Sequence, residues 1–121
     1  NQPGLFYEVN FEVLGRQRIA NVQVSPNPFR DRVRFSFVIT GHQPPAEFSI
    51  VISDVTGKPV RVLSPDVPVG SSEVIWNGES NGGGQVPAGV YFYQIDARDQ
   101  AGQPYLFELL NSESGKVVLI R

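Results

Sequence analysis

The sequence predicts an all-β fold, an antiparallel β-sandwich, and three observations predict it. Apolar and polar residues alternate with a period of two along most of the chain, the pattern of strands with one face in a core and one in water. Apolar spacings of three and four, the mark of an amphipathic helix, do not build into a run between those segments. Twelve glycines and ten prolines in 121 residues interrupt the pattern often enough to suit short strands joined by turns. A chain of this length has room for one core, or two small ones, and buries about 65% of its unfolded surface on folding.

The elements follow in order. Tyr7, Val9, Phe11 and Val13 alternate with Glu8, Asn10 and Glu12, a half-buried strand. A turn at Gly15-Arg16-Gln17-Arg18 leads to a strand over Ile19 to Val24. Ser25-Pro26-Asn27-Pro28-Phe29 is then an extended, kinked passage, because a residue before proline is pushed out of the α region. Val33, Phe35, Phe37 and Ile39 alternate with Arg32, Arg34 and Ser36, again one face in and one out. Phe48 to Val55 is more continuously apolar, as for a strand covered on both faces. It ends in Asp54-Val55-Thr56-Gly57-Lys58, where Gly57 supplies the positive φ of a tight hairpin, and Pro59 to Leu63 returns.

Ser64 to Gly70 contains two prolines and interrupts strand pairing. Ser72 to Trp76 is a short strand, and Asn77 to Gly84 is a loop. Gly89 to Ala97 is the strongest strand by composition, with Val90, Tyr91, Phe92, Tyr93 and Ile95. Asp99-Gln100-Ala101-Gly102 turns the chain into Pro104 to Leu110. After Asn111 to Gly115, the stretch Lys116 to Arg121 carries four successive apolar residues, Val117, Val118, Leu119 and Ile120, and reads as a buried terminal strand. The total is eight or nine strands, about seven of them in one sandwich of immunoglobulin-like type.

A seam near residue 20 divides the chain. Residues 1–20 read as the trailing strand or strands of a preceding immunoglobulin-like domain with a linker, and residues 21–121 as the sandwich; the alternative is that the first strand pairs into the same sandwich. With no initiator Met, no signal peptide and no apolar run near 18 residues, the chain is expected to be a piece of something larger.

Composition narrows the function. The net charge of −2 and the charged fraction of 18% give neither a basic face nor an acidic tail, so nucleic acid and direct membrane insertion are not expected. The absence of Cys removes thiolate metal sites and cysteine nucleophiles, and a single His limits both zinc sites and a Ser-His-Asp triad. That residue, His42, lies in a loop without a Ser or Asp at motif spacing. Gly82-Gly83-Gly84 lacks the Lys-Ser/Thr of a phosphate loop. No catalytic site and no cofactor are therefore expected.

Asp54, Asn77, Glu79, Asn81, Asp96 and Asp99 are oxygen donors that sandwich loops can gather around Ca²⁺, though turn chemistry explains the same residues. Trp76, Tyr91 and Tyr93 suit either a carbohydrate platform or, preferably, a core with one hydroxyl bonded back to backbone as in a tyrosine corner. Arg30, Arg32 and Arg34 form a small basic stripe that reads as a solvated strand face.

The order of the motifs carries a resemblance. Ser25-Pro26-Asn27-Pro28-Phe29, Asp54-Val55-Thr56-Gly57-Lys58-Pro59-Val60, Trp76-Asn77-Gly78, Val86-Pro87-Ala88-Gly89-Val90-Tyr91-Phe92-Tyr93 and Gly115-Lys116-Val117-Val118-Leu119-Ile120-Arg121 occur in this sequence in this order. Over about residues 22–121 the chain resembles the type A C-terminal sorting domain of type IX secretion cargo of Bacteroidetes. Phe35 to Gly41, Pro44-Pro45 and Phe48 to Ile52, with the strand at Tyr7 to Val13, are similar to the tail of surface proteins related to gingipain-type cysteine peptidases, including the sortase of that system. Asn77 stands where Asp is commoner, Val117 where Met is frequent, and Ser25 where Tyr is usual.

The resemblance implies a non-catalytic address tag. Its partners would be the outer-membrane shuttle, the translocon and a sortase, and its parent would pass through the periplasm to the outer membrane, cell surface or medium. Gly115 to Arg121 would be the recognised segment, with Pro26, Asn27, Pro28, Phe29, Asp54, Gly57, Trp76, Gly78, Gly89, Tyr91 and Tyr93 holding the fold. By position, Gly15 to Val24 is the expected cleavage region. A terminal strand at a sheet edge would offer free backbone groups to a partner strand or to a second copy, and removing Lys116 to Arg121 is expected to leave most of the sandwich folded. The alternatives are a carbohydrate-binding sandwich and a structural spacer like the immunoglobulin-like domain of flagellar hook-capping proteins, which shares the Trp76-Asn77-Gly78 and Gly89-Val90-Tyr91 pattern.

Overall fold

The computed structural model describes residues 18–40, 45–65, 70–104, 106–107 and 114–121. The expected strand at Tyr7 to Val13, the turn before Arg18, and His42 lie outside them. Eight strands are present among the described residues: β1 (Arg18–Ser25), β2 (Val33–Thr40), β3 (Glu47–Ser53), β4 (Pro59–Leu63), β5 (Gly70–Trp76), β6 (Gly89–Arg98), β7 (Leu106–Phe107) and β8 (Ser114–Leu119). They form two four-stranded sheets in the orders β5-β2-β1-β7 and β4-β3-β6-β8. The predicted β-sandwich is present, and its pairs are antiparallel except the short parallel contact of β1 with β7.

Alternation builds the core from both sheets. Val33, Phe35, Phe37 and Ile39 of β2 face Phe48, Ile50 and Ile52 of β3 and Tyr91, Tyr93, Ile95 and Ala97 of β6 across one buried cluster. Trp76, Leu119, Val117 and Phe29 close one part of it, each at most 1% exposed. No polar or charged side chain is buried among the described residues, so the core carries no desolvated charge to compensate.

Three expectations change. The boundary expected near residue 20 falls inside β1, which starts at Arg18 and buries Ile19 completely. Strand β3 is half-buried, since Val51 and Ser53 stay partly open while Phe48, Ile50 and Ile52 turn inward. Strand β8 is likewise one-faced: Val117 and Leu119 are buried, but Val118 is partly open and Ile120 is 38% exposed. A short apolar run cannot reveal whether a second layer covers its outer face. Here none does.

Two irregularities follow from local chemistry. In β1, Asn21 and Val22 together oppose the single residue Phe37, a bulge, and Asn21 takes φ +55°, a left-handed conformation that Asn tolerates better than most residues. The turns after β3 and β6 share one plan. The Asp54 carboxylate accepts the N–H groups of Thr56 and Lys58, and the Asp99 carboxylate those of Ala101 and Gln103, with Gly57 or Gly102 at positive φ.

Candidate functional site: the terminal strand and its clamp

The segment expected to be recognised, Gly115 to Arg121, is built into the sheet on both sides. Strand β8 pairs along its length with β6, from Gly89 opposite Leu119 to Gln94 opposite Ser114. Its other edge meets the Pro26-Asn27-Pro28-Phe29 segment. The Asn27 amide donates from Nδ2 to the Lys116 carbonyl at 3.0 Å, and its Oδ1 accepts the Val118 N–H at 3.0 Å. The Phe29 N–H donates to the Val118 carbonyl, and the Phe29 carbonyl accepts the Ile120 N–H, both at 2.8 Å. A side chain with one donor and one acceptor thus imitates a strand, and the backbone of Phe29 continues it.

The clamp is anchored from below. The Phe29 ring lies 5.5 Å from Trp76, which meets Tyr91 edge-on at 5.6 Å. Trp76 donates from Nε1 to the Glu79 carbonyl at 2.9 Å, and the Tyr91 hydroxyl donates to the Pro87 carbonyl four residues upstream at 2.6 Å. That last bond is the expected tyrosine-corner contact. The exposed aromatic platform of the carbohydrate reading is absent, because Trp76, Tyr91 and Tyr93 are 0%, 5% and 8% exposed. Burial pushes the hydroxyls of both tyrosines above their ordinary pKa, with Arg121 opposing the effect at Tyr91.

Two glycines of the motifs make room for this arrangement. A Cβ on Gly115 would sit 2.7 to 2.9 Å from the Oη, Cε2 and Cζ atoms of Tyr93, its cross-strand neighbour. Gly78 has φ +79°, and a Cβ there would come 3.2 Å from Arg121. The Arg121 guanidinium donates to the Val86 carbonyl at 2.9 Å, so one charged end of the expected recognition segment serves as an internal tie.

The opposite edge of the same sheet is covered in the same manner. Asn81 donates its N–H to the Val60 carbonyl, and its Oδ1 accepts the Val62 N–H, each at 3.0 Å. Loop asparagines therefore cover part of both edges of the β4-β3-β6-β8 sheet, a recognised protection against unwanted pairing. This corrects the expectation of a free edge at Lys116 to Ile120. Sequence reasoning placed Asn27 in an extended, kinked passage and among the residues holding the fold, without identifying the strand it meets; its position between two prolines, neither able to donate a backbone hydrogen bond, was the available signal.

Three of the oxygen donors weighed for Ca²⁺ are engaged in turn and edge chemistry among the described residues. Asp54, Asp99 and Asn81 spend their oxygens on separate turns and an edge, and Asp54 and Asp99 lie beyond opposite ends of the β3–β6 pair. Among the described residues no cluster of three or more His, Cys, Asp or Glu is placed to hold a metal ion. The Asp54 carboxyl is held below its ordinary pKa chiefly by the Thr56 hydroxyl. Part of the region expected from the resemblance to be cleaved, Gly15 to Val24, is described. Residues 18–24 lie within β1, paired with β2, and Ile19 is buried, so the folded domain withholds them from a peptidase.

Deleting Lys116 to Arg121 is not the mild change expected of it. Burying Val117 and Leu119 contributes roughly 3–6 kcal/mol, comparable with the whole stability of a small domain, about 5–15 kcal/mol. The deletion would also strand Asn27, Phe29 and the paired edge of β6.

Two four-stranded sheets packed about one core, with one of them partly covered at both edges, make an immunoglobulin-like module. More particularly, the chain belongs to the FlgD Ig-like domain family, whose model matches residues 23–104, and such domains are generally non-catalytic. No curated protein matches the sequence. Among solved structures it is similar to dimeric latent PorU from Porphyromonas gingivalis, with a TM-score of 0.61 and 23% identity over 82% of this chain and 9% of that one. It is also similar to the Pseudomonas fluorescens alkylpurine DNA glycosylase AlkC bound to DNA containing an abasic site analogue. There the TM-score is 0.55 and the identity 14%, over 92% of this chain and 33% of that one. The chain thus spans a small part of each, and at these identities the likeness shows the shared fold.

Proposed function

We propose that this domain is a sorting module that directs a parent protein through a type IX secretion system across the outer membrane. The observation that carries the reading is β8. The family match stops at residue 104, while the strand at Ser114–Leu119 bears the Gly115 to Arg121 motif and is fastened by the Asn27 motif. With the β8 edge occupied from Lys116 to Ile120, strand addition there is closed to a partner. Recognition then falls on outward side chains. Phe92 lies opposite Lys116 and Val90 opposite Val118, and Phe92 and Val90 are 45% and 36% exposed, an apolar face with a cation on it.

The test is to fuse the chain behind a periplasm-directed fluorescent protein in a bacterium with a type IX system, and to follow surface and medium. Export that is lost in a secretion mutant, and reduced by the exposed change Phe92→Ser, is the expected result. Periplasmic retention of the unaltered fusion would overturn the reading. The second reading, a structural spacer, is favoured by the FlgD family membership itself; a spacer does not export a reporter.

A further inference from the structure

A groove of about 480 Å³ opens where β1 ends, β2 begins and the chain leaves β8. Pro26 and Pro28 contribute to its lining, and around them stand Arg30, Arg32, Arg34, Ile75 and Ile120. The sequence showed three arginines on a strand face. Folding adds two isoleucines from distant segments, 46% and 38% exposed, beside them. Ile75 is the cross-strand neighbour of Arg34.

The charges are unevenly satisfied. Arg34 meets Glu73 at 3.3 Å in an exposed pair, whereas Arg30 and Arg32 have no ion-pair partner among the described residues. Asp31 is the acidic residue of the lining, so this end is positive on a chain whose net charge is −2. Its volume lies within the range of sites that enclose ligands, about 300–1,000 Å³.

We propose that this groove binds an acidic peptide segment of a partner protein, with carboxylates on Arg30, Arg32 and Arg34 and an aliphatic side chain between Ile75 and Ile120. Guanidinium forks match carboxylates in two parallel hydrogen bonds, which a lysine would not provide. Arg32 and Arg34 are two residues apart on an extended segment, roughly 6.6 Å, and side chains alternating along an extended peptide repeat at the same interval. The exposed Arg34–Glu73 pair exchanges for a peptide carboxylate at little cost. A peptide suits the site better than an anionic membrane, because the groove is concave and the chain as a whole is negative. The inference is independent of the export role.

Fluorescence anisotropy of the whole chain with a labelled hexapeptide of alternating glutamate and leucine tests it, with a lysine–leucine peptide as the charge control. Saturable binding of the acidic peptide is expected, weakened by added salt and by at least about tenfold in Arg30→Glu/Arg32→Glu. Ile75→Ser should also weaken it. Arg98→Glu, at the other end of β6, should leave it unchanged, and Trp76 fluorescence reports whether each variant is folded. The proposal is overturned by absence of binding, by equal binding of the lysine peptide, or by unchanged affinity in the folded double variant. It is equally overturned if phosphatidylcholine vesicles containing phosphatidylserine are bound and the peptide is not.

Discussion

Replacing Asn27 with alanine removes both halves of the clamp side chain while leaving the Phe29 backbone bonds in place. Two hydrogen bonds of 3.0 Å are lost, to the Lys116 carbonyl and from the Val118 N–H. Each contributes about 1 kcal/mol net, and since Asn27 is exposed, water recovers part of that, leaving about 1–2 kcal/mol. For a domain of this size the melting temperature should fall by about 4–8 °C. Thermal unfolding followed by Trp76 fluorescence gives that number. Amide hydrogen exchange gives its location: Val118 should lose protection, while Ile120, still donating to Phe29, should change less. Asn27→Asp retains the acceptor and should keep Val118 protected while still lowering the melting temperature. An Asn27→Ala protein with wild-type melting temperature and a fully protected Val118 amide would refute the clamp.

Two further outcomes are expected. Gly115→Ala places a methyl within 3 Å of the Tyr93 ring, which is packed edge-on against Phe35 at 5.2 Å and cannot retreat freely; the urea midpoint should fall by the equivalent of about 1–3 kcal/mol, and Tyr93→Leu should make the same glycine change nearly harmless. Equal effects in both backgrounds would dismiss the contact. Stability should also fall in alkali. Tyr91 and Tyr93 titrate higher when folded, so below about pH 10 both states keep their protons, and above it the unfolded chain ionises first and is favoured. Denaturant midpoints from pH 9 to 12 should decline, and Tyr93→Phe should flatten the decline; parallel curves would contradict the assignment.

The inward faces of β2 and β6 were readable before folding. Val33, Phe35, Phe37 and Ile39, and likewise Tyr91, Tyr93 and Ile95, recur at every second residue, and a pleated strand sends alternate side chains to opposite faces whatever lies around it. Turn chemistry was readable for the same reason: Asp54 and Gly57 act on residues two to four places away. The preferred core role of Trp76 and a backbone hydrogen bond from one of the two tyrosines also followed from residue type and position, while the structure decided that Tyr91 makes it.

Strands β3 and β8 were misjudged because their apolar runs say nothing about the layer outside them. The Asn27 clamp joins residues 91 positions apart at Val118, and no local pattern records which edge a loop will meet. The groove is more distributed still, drawing on the end of β1, the start of β2, Ile75 and Ile120. By itself the sequence determined where strands run, which way their side chains point and where the chain turns, because short-range sterics and period-two burial act within a few residues. Only the tertiary structure decided which edges are covered, which apolar residues remain outside and which cations gather beside them, because those depend on the order in which strands pair across the two sheets.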